Sequence, residues 1–208
     1  MVSESSLLVV EVDSSEPTVA SSIAELIEEG MGSWQTHYAM ACFKQGYCRG
    51  LVVLSDAPLG ASLFYSLSLE PRYKMGVIYY VVVKREHRGR GIGLVLVSSA
   101  EHVLEAEGSD IVVATTRADN YRSRRLFSSL GYEEVPLHSI EENYGDLFTK
   151  LTCSYEDDVA LVKSIRISFA ELIEAFSYWH NKDRIERLWY SLCYRPWREL
   201  RSRKNRAS

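Results

Sequence analysis

The stretch Val83-Lys84-Arg85-Glu86-His87-Arg88-Gly89-Arg90-Gly91-Ile92-Gly93 stands between a run rich in Val and Tyr, residues 76–84, and a helix-spaced segment, residues 91–107. That segment carries Ile92, Leu96, Val103 and Leu104 on one face and stops at Gly108. A strand therefore feeds a helix through a glycine-rich turn. At such a junction successive backbone amides point outward at the positive end of the helix dipole, which makes an anion site. Glycines at 89, 91 and 93 let the chain turn tightly and let a diphosphate approach the main chain, and Arg88 and Arg90 add charge. Two familiar phosphate loops do not fit. A Walker loop ends in Gly-Lys-Ser/Thr, where this chain has Ile92-Gly93-Leu94, and a dinucleotide G-x-G-x-x-G starting at Gly89 needs glycine where Leu94 stands.

Upstream of the turn, residues 7–12 are a short apolar run suited to a strand. Ser14-Ser15-Glu16-Pro17 starts a helix with Pro in its first turn, and Ile23, Leu26 and Ile27 recur at helical spacing until Gly30. A second short helix is predicted over residues 33–43. Residues 48–54 and 61–69 read as a hairpin around the turn residues Pro58 and Gly60, and Pro71 stops its second strand. Downstream, residues 111–116 predict a buried strand and residues 120–130 a helix closed by Gly131. Residues 132–137 and 147–152 predict two final strands. This order calls for a mixed sheet with helices on both faces.

Residues 155–208 differ in kind. Ser168 with Glu171 and Asp183 with Glu186 predict two capping boxes. Apolar stripes follow, Phe169, Leu172, Ile173 and Phe176 in one helix and Ile185, Leu188, Trp189 and Leu192 in the next. A helical hairpin with a frayed basic tail is expected, docked on the rest of the chain or on a second subunit, so that a homodimer is one way to cover Trp179, Trp189 and Trp197.

The 208 residues are 46% hydrophobic and 25% charged, which excludes disorder of the whole chain and a long multidomain architecture. No window approaches the roughly 18 consecutive apolar residues of a membrane span. The opening MVSESSLLVVEVD lacks a basic region and does not read as a signal peptide, so a cytoplasmic protein without membrane partners is expected. Cys42, Cys48, Cys153 and Cys193 form no C-x-x-C pair and are expected as free buried thiols; with the histidines they offer no metal-ligand spacing, so no metal is assigned. Net charge is −4, but residues 1–43 hold seven acids and no Lys or Arg, whereas residues 195–208 hold Arg195, Arg198, Arg201, Arg203, Lys204 and Arg206 against Glu199. The chain is acidic in front and basic behind.

The pattern Arg88-x-x-Gly91-x-Gly93 resembles the R/Q-x-x-G-x-G/A signature of the GNAT family of acyl-CoA-dependent N-acyltransferases. Further points are similar: Val83 five residues before the arginine, Ala118-Asp119-Asn120 opening a helix, and Leu126-Phe127-Ser128-Ser129-Leu130-Gly131-Tyr132, close to the family's N…LYxxxGF ending. The likeness covers residues 6–154 and implies an α/β fold, a mixed, mostly antiparallel sheet flanked by helices, with a domain over residues 1–154 and a helical extension over 155–208.

The resemblance also implies acetyl-CoA as cosubstrate and a primary amine as acceptor. The pantetheine arm would enter between two splayed strands, residues 77–84 and 111–116, with Val83 bonding it through its main chain and the Val81 amide polarising the thioester carbonyl. Amides of Gly89, Arg90, Gly91, Ile92, Gly93 and Leu94 would hold the pyrophosphate beside Arg88, and Asn120 would hold the pantetheine amide. Phe127, counted with the cofactor-lining residues, stands where family members commonly carry the tyrosine that protonates the thiolate. Val77 and Thr115 stand where they often carry a carboxylate base. Tyr132, with Tyr121 and Tyr144 as alternatives, is the candidate acid; Glu86, His87 and Asp119 read as exposed loop and cap residues.

Three functions compete. The leading one is acetyl transfer from acetyl-CoA to an amine, cationic if the acids Glu25, Glu28 and Glu29 wall the acceptor side. A second is an acyl-CoA-binding regulator of poor activity, suggested by the missing Tyr and carboxylates. A third is an RNA-associated module using the Arg-rich C-terminus, against which the net charge of −4 argues for any whole-domain footprint, so nucleic acid is not an expected partner.

Overall fold

The computed structural model describes residues 7–204, the side chains of residues 203 and 204 excepted. The strands are β1 (Leu8–Val12), β2 (Arg49–Leu54), β3 (Pro58–Leu69), β4 (Tyr73–Val83), β5 (Ile111–Thr116), β6 (Glu133–Pro136) and β7 (Val159–Ser164). The helices are α1 (Pro17–Met31), α2 (Ser33–Lys44), α3 (Ile92–Ala106), α4 (Tyr121–Ser129), α5 (Leu137–Tyr144), α6 (Leu147–Thr152), α7 (Phe169–Ala175), α8 (Trp179–Trp189) and α9 (Arg195–Lys204). The strands form one mixed sheet in the order β1-β2-β3-β4-β5-β7-β6, in which the pairings β1–β2, β2–β3, β5–β7 and β6–β7 are antiparallel and β4–β5 is parallel.

Two compact units divide the chain. One holds the residues up to Tyr65 together with Ile78–Val103, and the other holds Ser66–Val77 and the residues from Leu104 on. In the first, α1 buries Ile23, Leu26 and Ile27, the spacing read from the sequence, and α2 buries Ala39, Met40, Cys42 and Phe43. Gly30 of α1 packs over the Val82 side chain, while Gly60 of β3 faces α3: a Cβ there would meet the Val82 carbonyl oxygen at 2.7 Å and Leu96 at 3.1 Å. Helices thus cover both faces, and Gly60 lets α3 settle close to the strands.

In the second unit β7 lies between β5 and β6, paired along all of β5 from Ile111↔Ser164 to Thr116↔Val159. Asp110 secures the start of β5. Its carboxylate accepts from the Lys74 amide at 2.7 Å and from Arg166 Nε at 2.7 Å. The helical pair of the extension, α7 and the longer α8 with its continuation, docks within this unit. Phe148 of α6 meets the rings of Phe169 and Phe176, and the fully buried Asn181 bridges to the end of β3.

Several expectations require correction. Residues 147–152 are not a strand but α6, burying Phe148 and Leu151 one helical turn apart. The last strand is Val159–Ser164, so the sheet runs past residue 154, where the sequence boundary was expected. Six residues with apolar positions at 147, 148 and 151 are too few to fix a period, and only the need to fill the place between β5 and β6 decides. The capping box at Ser168 and Glu171 forms, whereas Asp183 lies inside α8, whose N-cap is Tyr178. The cysteines are not free thiols: Cys42 pairs with Cys48, six residues on, and Cys153 with Cys193, forty residues on, as disulfides. Residues 195–204 are helix rather than frayed tail, and residues 205–208 of the expected tail lie outside the described residues. Trp179 is not covered, being 68% exposed.

Candidate functional site

β4 reaches the turn with its main chain oriented. The Lys84 amide donates to the Leu59 carbonyl of β3 at 2.9 Å, and the Val82 carbonyl lies against Gly60 of the same strand. Peptide planarity and the two-residue period then point the N–H and C=O groups of Val81 and Val83 to the opposite edge. Within the second unit the start of β4 pairs with β5 in parallel, Met75, Gly76 and Val77 opposite Ile111, Val112 and Val113.

A single 3₁₀ turn, Arg85–His87, follows, with the His87 amide donating to the Lys84 carbonyl. Gly89 and Gly91 take φ of +77° and +80°, the left-handed region open to glycine at least cost. That conformation swings the chain into α3, whose first bond runs from the Val95 amide to the Gly91 carbonyl at 3.0 Å. The first-turn amides of Ile92, Gly93 and Leu94 have no acceptor in their own helix and present the positive end of its dipole. Arg88, Gly89, Arg90 and Gly91 are exposed, as an anion site demands. Arg88 does more than add charge: its Nε donates to the Val83 carbonyl at 3.0 Å, bracing the last residue of β4 against the turn. Glu86 is exposed and His87 half-buried.

The first unit also fixes the helix wall beside β4. Tyr80 donates its hydroxyl proton to Gln35 Oε1 of α2 at 2.8 Å. Tyr65 and Tyr79 meet edge to face at 5.7 Å, and burial pushes the Tyr65 hydroxyl well above its ordinary pKa. Glu25, Glu28 and Glu29 are exposed on α1.

In the second unit Asn120 is the N-cap of α4. Its Oδ1 accepts from the Ser123 amide at 3.3 Å and its Nδ2 donates to Thr116 Oγ1 at 3.0 Å, so the side chain is locked at the carboxyl end of β5. Phe127 is 3% exposed and packs edge-on against Tyr132, itself 4% exposed, at 4.9 Å. Phe127 is thus a core residue. Tyr121 and Tyr144, the other candidate acids, are 73% and 50% exposed. On the outer side of α4 an open hollow of about 450 Å³ is lined by Tyr121, Arg122, Arg124, Arg125, Ser128 and Glu134, with Arg124 forked onto Glu134.

Asp157 escaped the sequence reading. Thr115 donates its hydroxyl proton to Asp157 Oδ2 at 2.6 Å, which sets a carboxylate against the β5 residue itself. Burial raises the pKa of Asp157, the Thr115 hydrogen bond opposes this, and Asp158 and Glu156 push it further up. The run Glu156-Asp157-Asp158 reads as a solvated loop until β7 takes its place beside β5. Among the described residues no group of three or more His, Cys, Asp or Glu could hold a metal, and no helix is long and apolar enough to cross a membrane.

The family model FR47-like protein matches residues 68–141, from the end of β3 through the glycine turn to α5. No curated protein matches the sequence. Among solved structures, the chain is similar to the GNAT family N-acetyltransferase YhbS of Escherichia coli in complex with CoA, at 16% identity and a TM-score of 0.56 over 83% of this chain and 93% of that one. It is similar also to the ribosomal-protein-S18-alanine N-acetyltransferase of Escherichia coli, at 14% identity and a TM-score of 0.55 over 78% and 96% of the two chains. A third is the IAA acetyltransferase of Bacillus cereus, at 16% identity and a TM-score of 0.52 over 76% and 99%.

Proposed function

The chain has the GNAT acetyltransferase fold with a C-terminal helical extension, and from that premise we propose that it is an enzyme transferring an acetyl group from acetyl-CoA to a primary amine. The observation that carries the reading is the turn at Gly89 and Gly91, which leads from β4 into α3 and presents the first-turn amides of that helix, a geometry that suits an anion. The residues fit the cosubstrate. Main-chain amides from Gly89 to Leu94, with Arg90, suit a pyrophosphate. Arg88 already holds the Val83 carbonyl, and the Val83 N–H is the group of that residue assigned to the pantetheine arm. Asn120, tied to Thr116 and Ser123, keeps hydrogen-bonding capacity suited to an amide such as pantetheine carries.

The reaction forms a bond from the amine nitrogen to the acetyl carbon and breaks the bond from that carbon to sulfur. The Val81 N–H is assigned to the oxygen that gains charge. The acceptor's surplus proton needs a base, and the departing thiolate takes up a proton. Phe127 supplies neither, being a core ring, and of the tyrosines Tyr132 remains the assigned donor. The exposed Glu25, Glu28 and Glu29 favour a cationic acceptor, a polyamine or a basic peptide end, because an anionic rim concentrates cations.

Calorimetry with acetyl-CoA, run beside turnover against polyamine, basic-peptide, aminoglycoside and acidic amines, tests this. Binding is expected in the wild type and loss of it in Gly91→Val, with the circular dichroism of the fold retained; turnover is expected with cationic amines. Unchanged affinity in folded Gly91→Val overturns the site, and turnover confined to neutral or anionic amines overturns the acceptor class.

A further inference from the structure

The end of α8 does not continue as an α-helix. Residues Tyr190–Tyr194 form a π-helical segment, closed by the Arg195 amide on the Tyr190 carbonyl, before α9 resumes the ordinary pitch. In an α-helix residues five apart point to different faces. The π segment changes this for one pair: Trp189 and Tyr194 lie side by side with ring centroids 5.2 Å apart and planes 32° apart. Tyr194 then stacks on Trp197 at 5.8 Å with planes 27° apart. The result is a row of three rings along one side of the helix.

Cations lie on the ring faces. Lys150 Nζ is 5.3 Å from the Trp189 ring centre, the Arg198 guanidinium 5.8 Å from Tyr194, and the Arg201 guanidinium 4.7 Å from Trp197. The opposite side of the same segment is spent on the interior, with Leu192 and Cys193 buried. The row is therefore not the apolar face of a helix meant for lipid, which would have to be free. Residues 195–208 add six basic residues against Glu199 alone.

We propose that this aromatic and arginine row is a binding surface for single-stranded nucleic acid, its rings stacking bases and its arginines meeting phosphates. Flat π-faces recognise bases of any sequence, and guanidinium groups resting on those faces can turn to the backbone when a base takes their place. An acidic protein would use the charges and leave the rings without a purpose. The chain's net charge of −4 opposes a footprint over the whole domain and leaves a local stripe unaffected. The proposal does not depend on acetyl transfer.

Fluorescence anisotropy of a labelled mixed-sequence 15-nucleotide oligomer, as RNA and as DNA, measured with the full chain at low and raised KCl, tests the proposal. Binding is expected at low salt, weakening steeply as salt rises. Arg198→Gln with Arg201→Gln, both exposed and remote from the core, should weaken it at least tenfold and flatten the salt dependence. Trp197→Leu should weaken it about tenfold with the salt slope kept. Which oligomer binds more tightly identifies RNA or DNA as the source. No anisotropy change with either oligomer overturns the proposal. Binding indifferent to the arginine pair does so too, as does association with phosphatidylserine vesicles in place of the oligomers.

Discussion

At the scale of single residues, Asp157 has the most consequence for pH. Its pKa is raised in the folded protein by burial, so between the ordinary aspartate range and that raised value the folded state holds a proton that the unfolded chain has lost. Stability contributed by this group must then fall as pH climbs through that window. Asp157→Asn keeps a partner for the Thr115 hydroxyl and carries no charge, so its melting temperature should fall less between pH 4 and pH 7 than that of the wild type. Parallel pH dependences in the two proteins would show that the carboxylate is well solvated after all. If Asp157 also receives the acceptor's proton, the same variant lowers turnover and removes the acid limb of its pH profile. Phe127 is the contrary case: the sequence pattern marks it as an absent acid, and its place in the interior beside Tyr132 makes it packing.

At the scale of elements, one buried amide adds to the disulfide and ring contacts that hold the helical extension. Asn181 Oδ1 accepts from the Glu70 amide at 2.8 Å, and its Nδ2 donates to the Glu70 carbonyl at 2.9 Å and the Ala175 carbonyl at 2.7 Å. One buried side chain thereby joins α8, the end of α7 and the end of β3. Asn181→Ala strands these groups at about 1–3 kcal/mol for each left unmet in the interior. At about 2–4 °C per kcal/mol for a chain of this size, the three groups together should lower the thermal midpoint by at least roughly 6 °C. A melting temperature within 1–2 °C of wild type, taken as roughly experimental scatter, would mean that Phe148, Phe169 and Phe176 hold the extension without it.

At the scale of the whole molecule, the position of β7 decides where the chain can be cut. A chain ending at Cys153 loses the strand that pairs with all of β5 and with β6, and it should aggregate because both edges are left with unmet backbone groups. A chain ending at Ile167 keeps the sheet and the Arg166 ion pair with Asp110 but uncovers Phe148. It should stay soluble with a lowered melting temperature, as size-exclusion chromatography and a thermal melt would show. Equal stability of the two truncations would contradict the role assigned to β7.

The sequence by itself determined what depends on neighbours along the chain. The strand, glycine turn and helix from residue 76 to 107, the helices at 17–31 and 33–44, the Ser168 capping box and the hairpin of β2 and β3 all follow from periodicity, capping and turn chemistry, which act over a few residues. Tertiary structure alone decided what depends on partners distant in sequence. The segment at 147–152 became a helix because Val159–Ser164 fills the sheet beside β5, and Asp157 became a raised carboxylate because its place before that strand buries it, against the opposing hydrogen bond from Thr115. The cysteines paired across folds of the chain, and a π turn brought Trp189 beside Tyr194. In each case the competing local conformations differ too little in energy to choose between, and burial and hydrogen bonding with remote residues make the choice.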